Sequence, residues 1–151
     1  MYLMISKSCG GIFRMKDNHM VEAVILMGHG SRVPGAGEGM ERVAQLLKEK
    51  RPGAMIETCY MSELGPHFPE ILEKCVKEGA DKIIVMPYFL HLGIHLREDI
   101  PAMMEREAKK YPGLTLILGR HLGFDASLAD LVGKRLDESR ELGDIRGMKH
   151  S

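Results

Sequence analysis

Residues 21–32 read VEAVILMGHGSR. Five apolar side chains, Ala23 to Met27, follow one another without a polar break, and Gly28 then stops the run. A short, aliphatic run of this kind, closed by glycine, is the pattern of a strand buried on both faces. The pattern recurs three times, as AMIETCYM at 54–61, DKIIVMPYFL at 81–90 and LTLILG at 114–119. Each run is followed by a segment with helical spacing. In GEGMERVAQLLKEKRPG, Met40, Val43, Leu46 and Leu47 share one face, and Pro52-Gly53 ends the segment. GPHFPEILEKCVKEGA places Pro69 in a first turn and Gly79 at a C-terminus. REDIPAMMEREAKKYPG places Pro101 near its start, and DASLADLVGKRLDESREL offers Asp125 or Ser127 as a cap. Four apolar strands alternating with helices predict an α/β fold. The expected domain has three layers, with a four-stranded parallel sheet flanked by helices.

The chain has 151 residues, enough for one domain with a sizeable core. Residues 21–143 carry the periodic pattern. Residues 1–20 lack it and read as a poorly ordered extension, and 144–151 as a C-terminal tail. Lys and Arg number 21, as do Asp and Glu. That balance argues against nucleic acid or an anionic membrane as the main partner. No apolar run is long enough to span a bilayer, and residues 1–19 do not read as a signal peptide. Three scattered cysteines, Cys9, Cys59 and Cys75, lack CxxC spacing. They fit a reducing, cytoplasmic setting and offer no cysteine-based metal site.

In a parallel sheet of this kind, ligands bind beyond the carboxyl ends of the strands. The segments there are GHGSR, SELGPH, HLGIHLREDIP and RHLGFD, and they contain five of the seven histidines: 29, 67, 91, 95 and 121. His67 and His121 read as capping or loop residues, and His91 as structural. His29 and His95 stand apart, because both follow apolar strands in glycine-bearing turns. Several chemistries compete for them. Histidine phosphoryl transfer expects an arginine before His-Gly, where Gly28 stands. PGAGEG at 34–39 is neither a Walker loop nor GxGxxG, and GHGSR lacks the GxSxG nucleophile elbow. Imidazoles with open coordination positions suit a divalent transition metal better.

GHGSR together with FLHLGIHLREDIP resembles the short, single-domain form of sirohydrochlorin cobaltochelatase. That form lies within the class II chelatases, which include siroheme ferrochelatases, a nickel chelatase and protoporphyrin ferrochelatase. The matching positions are Gly28 to Arg32, Pro87, Phe89-Leu90, Gly93-Ile94-His95 and Asp99-Ile100-Pro101. The resemblance runs from about Val21 to about Leu142. It implies that His29 and His95 hold the metal and that Glu63 is a pocket carboxylate. His29, His95 and Glu63 would then be the catalytic residues.

The implied reaction inserts Co²⁺, or alternatively Fe²⁺ or Ni²⁺, into sirohydrochlorin and releases two protons. It needs no cofactor besides the substrate metal. Gly30, Ser31, Arg32, Gly93 and Arg97 are the expected substrate-binding residues, the arginines as partners for the macrocycle's carboxylates. Gly28 and Gly30 would leave a flat macrocycle room beside His29. Short members act as homodimers, so the resemblance implies a dimer. A non-catalytic carrier of metal or tetrapyrrole is the competing reading.

Overall fold

The computed structural model describes residues 20–61 and 65–147. Its sheet is built from β1 (Glu22–Gly28), β2 (Met55–Tyr60), β3 (Lys82–Pro87) and β4 (Thr115–Leu118). All neighbouring pairs are parallel, in the order β2-β1-β3-β4. The helices are α1 (Glu38–Lys50), α2 (Phe68–Lys77), α3 (Ile100–Ala108) and α4 (Ser127–Ser139). The expected fold class is therefore the observed one, a four-stranded parallel sheet flanked by helices.

Crossover handedness explains the layering. Parallel strands joined through a helix take right-handed connections. The step from β1 to β2 runs one way across the sheet, and the steps to β3 and β4 run the other way. Helix α1 therefore lies on one face, and α2 and α3 lie on the opposite face. Side-chain alternation follows. Ala23, Ile25, Met27, Ile83 and Val85 point to the α2/α3 face and are fully buried with Phe68, Leu72 and Ile100. Leu26 and Ile56 point the other way and pack with Met40 and Ala44 of α1.

Two expectations change in detail. The IIVM run of β3 is not equally buried on both sides. Ile83 and Val85 are fully covered, while Ile84 and Met86, toward the α1 face, are half-buried. Also, α3 does not begin at Arg97. A π-helical turn, His95–Asp99, precedes it. Pro101, in the first turn of α3, has no N–H to return to the preceding turn, so a regular α-helix cannot run back through it. The expected extension at 1–20 lies outside the described residues up to position 19. The tail expected over 144–151 opens with a 3₁₀ turn at Ile145–Gly147.

Cys59 and Cys75 are free and buried in the α2/α3 core. Burial, reinforced by neighbouring charge, pushes the Cys59 thiol up to about 12 and the Cys75 thiol up to about 11. The folded state thus holds both thiols neutral. The unfolded chain ionises them from the ordinary value of 9.0 upward. The stability they contribute is complete below pH 9 and falls as pH rises toward 11–12. The denaturation midpoint should therefore drop between pH 8 and pH 10. Both thiols should resist a thiol reagent at pH 8 until the chain unfolds. Rapid labelling of Cys59 or Cys75 in the native protein would contradict this burial.

Candidate metal site

Strand order places the site. β1 and β3 are neighbours, but the chain leaves β1 toward β2 and only later crosses back to β3. The crevice between their carboxyl ends is the point where the winding reverses, which is where such sheets bind ligands. His29 follows the last residue of β1, and the connection leaving β3 reaches the π-helical turn at His95. The Tyr88 N–H donates to the Met27 carbonyl at 2.8 Å and the Met61 N–H to the Gly28 carbonyl at 3.0 Å, which continues the ladder to the rim of this crevice.

His29 and His95, 66 positions apart in the chain, meet there. Their ring centres are 5.3 Å apart, with the ring planes at 68°. With about 2.1 Å from metal to nitrogen and roughly 1.1 Å more to the ring centre, two imidazoles sharing one tetrahedral ion have centres about 5.2 Å apart. The pair is spaced for a single ion. Each ring is also held through Nδ1. His95 Nδ1 lies 2.6 Å from Asp99 Oδ2, and His29 Nδ1 lies 3.2 Å from the Gly30 carbonyl. Carbonyl and carboxylate oxygens accept, so both Nδ1 atoms donate, and the Nε2 lone pairs remain for a metal. The His95 and Asp99 side chains are 46 % and 52 % exposed, so an incoming ion has access to the pair. Among the described residues no group of three or more His, Cys, Asp or Glu gathers around one point. Among the described residues the candidate site offers two nitrogens, one each from His29 and His95.

Asp99 is a candidate site residue that sequence reasoning did not single out. It stands inside the Asp-Ile-Pro motif, yet only the four-residue spacing from His95 signalled its partnership. Partners of metal-binding histidines typically contribute 10–100-fold to metal affinity or activity. Asp99→Asn is therefore expected to weaken Co²⁺ binding by about 10–100-fold while leaving thermal unfolding unchanged, as titration calorimetry and a melting curve would show. Wild-type affinity in the variant would show that the carboxylate does not orient His95.

The other expected residues divide. Glu63 lies outside the described residues. Gly30, Ser31 and Arg32 line a neighbouring cavity of about 270 Å³, together with Tyr60 and Glu41, and neither histidine lines it. The Ser31 hydroxyl accepts from the Val33 N–H at 3.1 Å, so part of its role is to hold this loop. Arg97 sits two residues after His95 in the same turn and projects from another side of it. The Gly93 carbonyl accepts from the Arg97 N–H at 3.2 Å, which starts the turn that carries His95.

Both glycines beside His29 have local causes. Gly30 adopts φ +83°, a left-handed conformation that side chains disfavour. A Cβ on Gly28 would lie 3.0 Å from the Met40 sulfur, so Gly28 admits α1 rather than a ligand. His67 caps α2, with its N–H donating to Glu70 Oε2 at 3.2 Å. The Asp125 carboxylate accepts from the Ser127 N–H and hydroxyl at 2.9 and 2.7 Å at the start of α4. Both agree with the capping read from the sequence.

A model of the CbiX family matches residues 23–139. The chain belongs to the CbiX family. Among its relatives is a sirohydrochlorin cobaltochelatase of Methanococcoides burtonii, 32% identical over 123 residues that cover 76% of this chain and 94% of that one. A sirohydrochlorin cobaltochelatase of Priestia megaterium is 29% identical over 82% of this chain, but over only 40% of its own length. The chain spans about half the length of several curated relatives, proteins named sirohydrochlorin ferrochelatase among them. A solved structure, the sirohydrochlorin chelatase SirB from Bacillus subtilis subspecies spizizenii in complex with cobalt, superposes with a TM-score of 0.73. It is 29% identical, over 79% of this chain and 51% of that one.

Proposed function

We propose that this CbiX-family chain is a sirohydrochlorin cobaltochelatase, a lyase that inserts Co²⁺ into sirohydrochlorin and releases two protons. The observation that carries this reading is the His29–His95 pair, with 5.3 Å between ring centres and both Nδ1 atoms already committed. Two neutral nitrogens grip an ion without enclosing it, so the macrocycle's own nitrogens take over the open positions. As the metal enters, two pyrrole N–H bonds break and the electron pairs stay on nitrogen. An imidazole released from the metal accepts a proton at Nε2, and Asp99 steadies the resulting positive charge on His95. Positioned bases of this kind contribute about 10²–10⁴-fold. Protons compete with the metal for the same lone pairs, so metal binding weakens on acidification. Glu63 is a further candidate base, and Arg32 and Arg97 are candidates to hold the substrate carboxylates.

Exposed apolar side chains support a substrate with a flat apolar face, the ring of the macrocycle inside its rim of carboxylates. Val33, Leu90, Leu92, Ile94 and Phe124 are all exposed on connections at the carboxyl end of the sheet, and Phe124 is 92 % exposed. The Gly123 N–H donates to the Phe89 carbonyl at 3.3 Å and ties two of these connections together. The same ligand set serves Fe²⁺ or Ni²⁺, and relatives named ferrochelatase favour iron as the second reading. The reaction as proposed uses no cofactor beyond its substrate metal. A homodimer completes the walls around the macrocycle, and the two buried free thiols suit a cytoplasmic setting. No helix among the described residues is long and apolar enough to cross a membrane.

Absorbance of sirohydrochlorin with purified protein and each metal in turn tests the reading. Many equivalents of cobalt product per site are expected. Product that stops at one equivalent per site identifies a carrier instead.

A further inference from the structure

The connection from β1 to α1 carries His29 at its start and PGAGEG, residues 34–39, at its end. That run is no phosphate loop, yet one of its glycines has a clear cause. Gly37 has φ −82° and ψ −18°, a helical conformation open to any residue, so it needs glycine for space and not for freedom. A Cβ there would lie 2.9 Å from Cζ of Tyr60 and closer still to the Tyr60 hydroxyl. Tyr60 ends β2 and stands opposite Gly28 in the sheet. Its ring runs from Gly28, where a Cβ would be 3.5 Å from Cδ1, across to Gly37. One side chain thus lies against both ends of the segment that carries His29.

The hydroxyl makes the grip. It donates to Glu41 Oε1 at 3.0 Å, and the Gly37 carbonyl lies 3.4 Å away. It has one proton, which goes to the shorter contact, the carboxylate. Glu41 stands in the first turn of α1, and its own N–H donates to the Gly37 carbonyl at 3.1 Å. The grip therefore falls on the first hydrogen bond of the helix. Burial, then the Glu41 hydrogen bond and charge, push the Tyr60 hydroxyl up to about 12. It keeps its proton and remains a donor at neutral pH. Bonds such as Val33 N–H to Ser31 Oγ at 3.1 Å and Ala36 N–H to the Val33 carbonyl at 3.2 Å are internal to the loop. They shape it, whereas Tyr60 ties it to the sheet.

We propose that Tyr60 is a positioning residue for the metal site: by holding Glu41 it fixes the start of α1 against the end of β2, and so sets where the loop between Gly28 and Gly37 presents His29. Tyr60 and Glu41 share the walls of one cavity with Gly30 and Ser31, the two residues that follow His29, so the grip acts beside that histidine. A ligand held in place before the ion arrives loses less freedom on binding, which raises affinity. Tyr60 itself touches neither metal nor macrocycle in this role. The role rests on the reading of His29 as a metal ligand.

The test uses the full chain with Co²⁺ alone as the probe. Titration calorimetry reads affinity, NMR relaxation reads the backbone order of residues 29–37, and a melting curve reads stability. Tyr60→Phe keeps the ring in the α1-side core and removes only the hydroxyl. Co²⁺ binding should weaken by about tenfold, the lower end for groups that orient a metal ligand. The order of residues 29–37 should fall below that of β1 and β3, with the melting curve unchanged. Glu41→Ala should match it, and the two together should be no worse than either alone. Glu41→Gln, whose amide oxygen still accepts, should lose less. Wild-type Co²⁺ affinity or unchanged loop order in Tyr60→Phe overturns the positioning role and leaves the metal reading standing. So does wild-type affinity in Glu41→Ala, or a loss of affinity that comes only with a lowered melting temperature. A wild-type chain that binds no Co²⁺ overturns the metal reading and Tyr60's part in it.

Discussion

His29→Ala and His95→Ala each lower the rate of cobalt insertion by at least about 100-fold, the lower end of what a positioned base contributes. The loss of a ligand adds to that of the base, since either variant leaves one nitrogen where the geometry provides two. Neither change touches the core. His29 is exposed and His95 is about half-exposed, and neither belongs to the buried clusters. Thermal unfolding should therefore move by no more than about 0.5 kcal/mol. The double variant should be little worse than either single one, because residues acting as a unit lose their function together. An absorbance assay beside a melting curve decides the matter. Near-normal turnover in either variant removes that histidine from the site, and loss of turnover together with unfolding at assay temperature makes its role structural.

Phe68→Ala is expected to destabilise the fold by about 3–5 kcal/mol, the range for emptying a buried aromatic site. Phe68 is 1 % exposed, opens α2 and packs in the core shared by β1, β3 and α3. Its loss leaves a cavity in the core between α2 and the sheet. Chemical denaturation should show a lowered midpoint with little change in slope, because the surface exposed on unfolding is nearly the same. Well below its melting temperature the variant should still bind Co²⁺, since the proposed ligands, His29 and His95, lie at the strand ends and not in the core. A shift under about 1 kcal/mol would mean that the surrounding side chains collapse into the space, unlike the close-packed core described here.

Much of this was legible in the order of residues. Short apolar runs closed by glycine or proline have one economical use, as buried strands, and their alternation with helical patterns leaves a parallel sheet as the result. Pro69, Gly79 and Asp125 mark helix ends through local backbone chemistry, so the ends they mark came out within a few residues. Asp99 was harder to see. Its role depends on a π-helical turn that brings its carboxylate to His95, and an i, i+4 spacing alone does not distinguish that from two side chains in water. The causes of Gly28 and Gly30 were equally hidden. One makes room for Met40, which lies twelve residues on, and the other makes a left-handed turn.

The sequence alone determined the strands, the helices and the parallel arrangement, and it singled out the two histidines as candidates, because each follows from local periodicity or from a short motif. Tertiary structure decided the rest. Crossover handedness set the strand order β2-β1-β3-β4 and so brought the ends of β1 and β3 side by side. That adjacency put His29 and His95 within 5.3 Å of each other. The same handedness placed two crossover helices on one face and one on the other. Periodicity records which side of an element is apolar. What lies against that side is fixed only when the whole sheet has formed.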